Sequence, residues 1–179
     1  MAKKVLIISA TPRKGGNSEI LAQAFGDGAK AAGNEVEVIS LRDKNLLFCK
    51  GCLACQKTGR CILKDDAAEI TGKMQAADVL VFATPIYYYS VSGQLKTMLD
   101  RSNPLYNSDY KFRDVYLLST AAENDPETPK TAEQVLQGFI DCFPKARVAG
   151  TVFAGGVTSP GDIQNHPALK TAYDAGKAV

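Results

Sequence analysis

The chain has 179 residues, of which 45% are hydrophobic and 22% charged, with a formal net charge of +2. This size and composition predict one globular domain with a buried core. The small net charge does not favour a nucleic-acid or membrane surface, and no apolar run reaches the roughly 18 residues of a membrane span. No signal-peptide pattern follows Met1, so a cytoplasmic location with reduced cysteines is expected.

A strand, a polar loop and a helix are predicted in the first 25 residues. The continuous apolar run 5–8 is typical of a strand buried on both faces, and apolar residues recur at helical spacing over 20–25. The loop between them offers hydrogen-bond donors from Thr11, Arg13, Asn17 and Ser18. Because backbone amides at a helix start point towards an anion, the loop is a candidate phosphate site. An ordinary turn capped by Asn17 or Ser18 is the alternative.

Strands and helices alternate through the rest of the chain. Further strands are predicted at 35–39, 78–84, 115–119 and 147–153, and further helices at 65–76, 93–101, 130–142 and 167–177. Five strands that alternate with helices predict a doubly wound parallel α/β sheet. Ligands of such sheets bind at the carboxyl ends of strands. The loops after the first, third and fourth strands are therefore expected to surround one site.

The predicted loop 85–92, after the third strand, contains three consecutive tyrosines, Tyr87, Tyr88 and Tyr89. Aromatic rings beside backbone amides suit a flat heteroaromatic ligand. Packing over the end of the sheet or across a subunit interface is the alternative. Considered with the phosphate loop, the tyrosines favour a flat cofactor that carries a phosphate.

Four of the five cysteines lie close together, with the spacing Cys49-x2-Cys52-x2-Cys55-x5-Cys61. Ferredoxin-type sequences use x2 spacing because a short loop then surrounds one iron–sulfur cluster with thiolates. A zinc site and a metal-free loop with partly buried thiols are the two alternatives. The fifth cysteine, Cys142, is expected to pack within helix 130–142.

Two groups of motifs resemble those of a known family. They are Thr11-Pro12-Arg13 with Gly16-Asn17-Ser18, and Thr84-Pro85-Ile86-Tyr87 with Gly93-Gln94-Leu95-Lys96 and Asp100-Arg101, of which the last two are expected to form a structural pair or an interface contact. They are similar to motifs of the flavodoxin-like NAD(P)H-dependent FMN reductases, and the cysteine stretch resembles that of iron–sulfur flavoproteins in the same superfamily. The resemblance implies a single flavodoxin-like FMN-binding domain over 1–179, with a doubly wound five-stranded parallel sheet in the order 2-1-3-4-5.

The resemblance also implies which residues hold FMN. The phosphate would be held by Thr11, Arg13, Asn17 and Ser18. The isoalloxazine and ribityl side would be lined by Pro85, Ile86, Tyr87 and Tyr88. Backbone groups of Thr120 and Ala121 would meet the pyrimidine edge of the ring, although the loop 119–123 lacks the glycines common in the family.

The function implied by the resemblance is electron transfer from NAD(P)H through bound FMN to a quinone, a flavin or another small acceptor. No catalytic side chain is expected, because the flavin carries out the chemistry. The alternative function is that of an FMN/[4Fe–4S] iron–sulfur flavoprotein, an electron carrier for a redox protein, with Cys49, Cys52, Cys55 and Cys61 as the cluster ligands. A homodimer or homotetramer is expected, and the sequence does not distinguish NADH from NADPH.

Overall fold

A computed structural model describes residues 2–179. The strands are β1 (Lys4–Ser9), β2 (Glu35–Ser40), β3 (Val79–Tyr87), β4 (Ser90–Val91), β5 (Asp114–Thr120) and β6 (Arg147–Ala154). The helices are α1 (Asn17–Ala31), α2 (Ala54–Thr58), α3 (Ala67–Ala76), α4 (Gly93–Arg101), α5 (Lys130–Ile140) and α6 (Pro167–Lys177). None of the helices in this part of the chain is both long and apolar enough to cross a membrane.

The main sheet has the strand order β2-β1-β3-β5-β6, and all its neighbouring strands are parallel. This confirms the predicted flavodoxin-like order once the short strand β4 is set apart. The predicted count of five strands is wrong, because β4 pairs antiparallel with the end of β3. The predicted loop 85–92 is therefore a hairpin, whose turn residues Tyr88 and Tyr89 have φ of 49° and 62°. Positive φ at both central residues is the requirement of a type I′ turn.

The sheet is covered by helices on both faces, because successive side chains of a strand point to opposite faces. On one face, Val5 and Ile7 of β1 belong to a core that includes Phe25 of α1 and residues of α6. On the other face, Leu6 and Ile8 belong to a larger core that includes residues of α3, α4 and α5. The continuous apolar run of β1 is thus buried on both sides, as its sequence predicts.

Helices α1 and α6 are in contact through two glycines. A Cβ atom added at Gly28 of α1 would lie 2.0 Å from the carbonyl oxygen of Tyr173, and one added at Gly176 of α6 would lie 2.0 Å from that of Phe25. Neither position has room for a side chain, so the backbones themselves form the contact. The helix that follows the last strand is thereby fixed against α1, the helix that follows the predicted phosphate loop.

Candidate functional site

The loop after β1 leaves room for an anion at the start of α1. Gly16 precedes α1, and no side chain caps the helix. A Cβ atom added at Gly16 would lie 2.6 Å from Oγ1 of Thr11 and 3.1 Å from the carbonyl oxygen of Arg13. Only glycine fits this close approach. The amides of the uncapped first turn and the positive end of the helix dipole suit a phosphate group, so the loop fits the phosphate of FMN.

The side chain of Asn17 connects this loop to the segment after β6. Its Nδ2 donates to the carbonyl oxygen of Ser159 at 3.0 Å. Its Oδ1 accepts hydrogen bonds from the amides of Gly161 and Ile163, at 3.1 and 3.3 Å. Asn17 is buried. The sequence indicated a phosphate ligand here, whereas the structure also gives Asn17 the task of holding a second loop of the site.

Two other predicted phosphate ligands contact neighbouring loops. Nη1 of Arg13 donates to the carbonyl oxygen of Thr158 at 2.8 Å. The hydroxyl groups of Ser18 and Thr120 lie 3.0 Å apart, and both residues are buried. The loops that follow β1, β5 and β6 are thus connected by hydrogen bonds at one edge of the sheet. The predicted site residues include none from the segment after β6, because no motif of a ligand site marks that segment.

One cleft of about 210 Å³ brings together nine of the ten predicted FMN-binding residues. These nine are Thr11, Arg13, Asn17, Ser18, Pro85, Ile86, Tyr87, Thr120 and Ala121. The tenth, Tyr88, lines an adjoining cleft of about 250 Å³, and the two clefts share Ile86, Ala121 and Ala122 as walls. The first, third and fourth predicted strands, which are β1, β3 and β5 of the structure, therefore end at a common site.

The tyrosine hairpin reaches across the second cleft to the loop after β5. The hydroxyl of Tyr89 donates to Glu123 Oε1 at 3.0 Å, and Thr128 donates to Glu123 Oε2 at 3.2 Å. The hydrogen bond to Glu123, together with the charge of that carboxylate, raises the pKa of Tyr89. Tyr88, by contrast, is fully exposed. The hairpin thus presents one free ring and one fixed ring.

The loop after β5 has no glycine of its own and depends on Gly155, which directly follows β6. A Cβ atom added at Gly155 would lie 2.6 Å from the carbonyl oxygen of Glu123 and 2.7 Å from Cα of Asn124. The amide of Gly156 donates to that same Glu123 carbonyl at 3.2 Å. The close backbone approach that a Gly-rich loop would allow is provided by the facing segment instead.

The cysteine segment, residues 45–63, lies over the face of the sheet that α3 and α4 cover. Cys49 and Cys52 are exposed, Cys61 is half-buried and Cys55 is buried. Within residues 2–179, no three His, Cys, Asp or Glu side chains are gathered into a metal-binding group. Cys142 is exposed, so the prediction that it packs in its helix is wrong; α5 ends at Ile140, before this residue.

Three of the four sulfur atoms in the segment accept hydrogen bonds from nitrogen. The amide of Gly51 lies 3.4 Å from Sγ of Cys49. Nδ2 of Asn103 lies 3.2 Å from Sγ of Cys55, and Nη2 of Arg101 lies 3.4 Å from Sγ of Cys61. Four thiols within 13 residues, with N–H donors directed at their sulfur atoms, are a donor set that fits an iron–sulfur cluster.

A buried ion pair holds both ends of the cysteine segment. The side chains of Arg101 and Asp65 are fully buried and form two hydrogen bonds, one of them at 2.8 Å. Arg101 also donates to the carbonyl oxygen of Leu47 at 2.7 Å, and Asp65 accepts from the Leu47 amide at 2.7 Å. Burial by itself raises the pKa of Asp65, but the hydrogen bonds from Arg101 and Leu47 outweigh it and keep this pKa below its usual value.

Comparison with solved structures gives the class of the fold. An NAD(P)H:quinone oxidoreductase of Methanothermobacter marburgensis superposes with a TM-score of 0.77 and 20% identity, covering 99% of this chain and 96% of that one. An azoreductase of Bacillus anthracis superposes with a TM-score of 0.75 and 18% identity, and both chains are fully covered. At these identities the similarity establishes the fold, which is that of the flavodoxin-like reductases.

Sequence comparison gives the family. The family described as NADPH-dependent FMN reductase matches residues 3–154. An iron–sulfur flavoprotein of Methanocaldococcus jannaschii is 35% identical over 187 residues, covering 98% of this chain and 95% of that protein. An iron–sulfur flavoprotein of Archaeoglobus fulgidus is 39% identical over 110 residues, covering 62% of this chain and 54% of that protein.

The chain belongs to the NADPH-dependent FMN reductase family. It is an NAD(P)H-dependent flavin oxidoreductase, and FMN is its cofactor, as the motifs after the first and third strands predict.

Proposed function

We propose that this protein is an iron–sulfur flavoprotein that moves electrons between NAD(P)H, FMN and a [4Fe–4S] cluster held by Cys49, Cys52, Cys55 and Cys61. The observation that carries this proposal is the setting of the four thiols, three of which accept N–H hydrogen bonds. The full-length similarity to an iron–sulfur flavoprotein supports it.

Bound FMN would supply the hydride-accepting and electron-transferring chemistry, which no side chain of the protein provides. The protein's task is to hold and orient it. Thr11 and Arg13, with the first-turn amides of α1, provide donors for the phosphate, and Asn17 and Ser18 keep the surrounding loops in place. Pro85, Ile86, Tyr87 and Tyr88 line the side for the ribityl chain and the ring. Thr120 and Ala121 provide backbone groups for the ring edge.

Helix α4 connects the FMN cleft with the cysteine segment. Ser92, which caps α4, bonds to the strand ends beside the cleft: its amide donates to Thr84 Oγ1 at 3.0 Å, and its hydroxyl donates to the Ala10 carbonyl at 3.1 Å. The last residue of α4, Arg101, contacts the cysteine segment. The nine residues of α4 span about 13 Å at a rise of 1.5 Å per residue. One helix thus joins the strand ends beside the cleft to the cysteine segment.

The thiols would converge when iron binds. Metal binding is coupled to the folding of the site that holds the metal, and two of the four cysteines, Cys49 and Cys52, are exposed. Lys50, Lys57 and Arg60 lie within the same segment. Their positive charges offset part of the negative charge that thiolates and cluster bring.

We propose a cytoplasmic homodimer or homotetramer that delivers electrons to a redox protein or to a small acceptor such as a quinone. The exposed ring of Tyr88 at the rim of the cleft supports electron delivery to a small acceptor, because an aromatic ring there can stack on an incoming nicotinamide or on a flat acceptor. Light scattering of the purified protein tests the oligomeric state, and a monomer would contradict it.

The proposal is tested by purifying the protein without oxygen and measuring FMN, iron and acid-labile sulfide per chain. We expect one FMN and about four irons per chain. Cys55→Ser should lose iron and keep FMN, whereas the matched control Cys142→Ser should keep both. A yellow protein with FMN and no iron would reduce the function to that of an FMN reductase whose cysteine loop binds no metal.

A further inference from the structure

Two side chains outside the cysteine segment donate to its sulfur atoms, and both come from the same place in the fold. Arg101 is the last residue of α4, and Asn103 begins the 3₁₀ turn Asn103–Leu105 that follows. Their donor nitrogen atoms lie 3.4 Å from Cys61 Sγ and 3.2 Å from Cys55 Sγ. These two cysteines are the less exposed half of the motif.

Both donors are anchored from outside the cysteine segment. The guanidinium of Arg101 donates to the buried carboxylate of Asp65, and its side chain has no exposed area. Asn103 begins the turn that contains Leu105, which is 1% exposed and belongs to the larger core. These anchors direct both donors towards the cysteine segment.

We propose that Asn103 and Arg101 are positioning residues for the cluster, which fix Cys55 and Cys61 and make the cluster easier to reduce. This inference rests on the proposed function. Hydrogen bonds to ligand sulfur stabilise the reduced cluster more than the oxidised one, because the reduced cluster carries more negative charge. Cys49 receives only an amide from its own segment. Cys52 is exposed and accepts no hydrogen bond within the part of the chain described. The cluster would therefore be held from the Cys55 and Cys61 side and open on the other.

The test is a redox titration that measures the midpoint potential of the cluster, with EPR as the readout. The sample is holoprotein purified without oxygen, and Asn103→Leu is the main variant. Leucine keeps the size of the side chain and removes the N–H donor. We therefore expect the equilibrium between reduced and oxidised cluster to shift about ten-fold towards oxidised, or roughly 59 mV for a one-electron couple.

Two controls separate this effect from general disturbance. Asn107→Leu makes the same change at an exposed residue four positions further on, and it should leave the potential of the cluster unchanged. The FMN potential, read in the same titrations, should not move in either variant. An Asn103→Leu protein with full iron content and the wild-type cluster potential would overturn the inference, as would an equal shift in Asn107→Leu.

If Asn103→Leu binds no iron, Asn103→Gln tests whether the lost amide donor is the cause, because glutamine restores such a donor. Recovery of the iron with a potential near that of the wild type supports the inference, and a protein that stays without iron overturns it. A wild-type protein that contains FMN and no iron refutes the proposed function instead, so the two failures are distinguishable.

Discussion

Replacement of Asp65 by asparagine should be the most destabilising conservative change near the cysteine segment. The variant loses the carboxylate that faces Arg101, while the guanidinium stays fully buried. Removal of one partner from a buried ion pair costs about 3–5 kcal/mol, since the remaining charge is left uncompensated. With about 2–4 °C per kcal/mol for a chain of this size, the melting temperature should fall by roughly 6–20 °C.

The assay is urea unfolding of the holoprotein, with Asp100→Asn as the control. Asp100 pairs with Lys96 at 2.6 Å in an exposed i,i+4 pair, which is worth at most about 0.5 kcal/mol. A loss below about 1 kcal/mol in Asp65→Asn would refute the reasoning. Replacement of both partners, Asp65→Leu with Arg101→Met, should recover much of the loss because no unpaired charge is then buried.

The same pair predicts how stability depends on pH. The pKa of Asp65 is lower in the folded protein than its ordinary value, which in an unfolded chain is about 3.9. The contribution of the pair is therefore fully present above the unfolded pKa and is lost as the pH falls through the folded pKa. Asp65→Asn should flatten the acid side of the stability curve below about pH 4. A curve parallel to that of the wild type would contradict this assignment.

Three further changes have defined outcomes. Gly16→Ala places a Cβ atom 2.6 Å from Thr11 Oγ1, so FMN titrated into the apoprotein should bind about ten-fold more weakly or worse; an unchanged dissociation constant would contradict the cradle. Gly138→Ala, where nothing lies within 4 Å, should stabilise α5 by about 1 kcal/mol in urea unfolding, and a loss of stability would show a hidden contact. Tyr88→Asn with Tyr89→Gly should stabilise the fold by about 1–3 kcal/mol, because it relieves the strain of two positive φ values. The same double change should lower the rate of NAD(P)H oxidation with a quinone, and an unchanged rate would exclude a role of the two rings in turnover.

The sheet could be predicted from sequence because its strands are continuous apolar runs separated by helices. The run Val5 to Ile8 predicts a strand buried on both faces. The alternation of strands and helices predicts a parallel sheet, whereas the order of the strands came from the family resemblance. The hairpin at β4 was not predicted, because tyrosine rarely adopts the left-handed backbone of Tyr88 and Tyr89. The central residues of a type I′ turn are normally Asn and Gly. The tertiary pairing of Ile86 with Val91 outweighs that local preference.

The candidate site was predicted where a motif contains its residues, and missed where a single contact defines them. Thr11 and Ser18 lie in a recognisable loop, and the cleft includes both. Arg101 and Asn103 donate to Cys61 and Cys55 from 40 and 48 positions away in the chain. The family-like motifs include Asp100-Arg101, but nothing in the local sequence marks the cysteines as partners, because a hydrogen bond across that separation depends on how the core packs.

The bonds from Asn17 to the segment after β6 have a consequence for how the protein matures. They join residues 142 to 146 positions apart. The glycine contact between α1 and α6 likewise joins α1 to the end of the chain. A ribosome makes the phosphate loop early and its supporting residues late. During synthesis the nascent chain therefore has the strand and helix of the loop without the contacts that keep it open for the cofactor. FMN should bind only after the chain is released. A nascent chain stalled before residue 158 should therefore retain no FMN once the free flavin is removed.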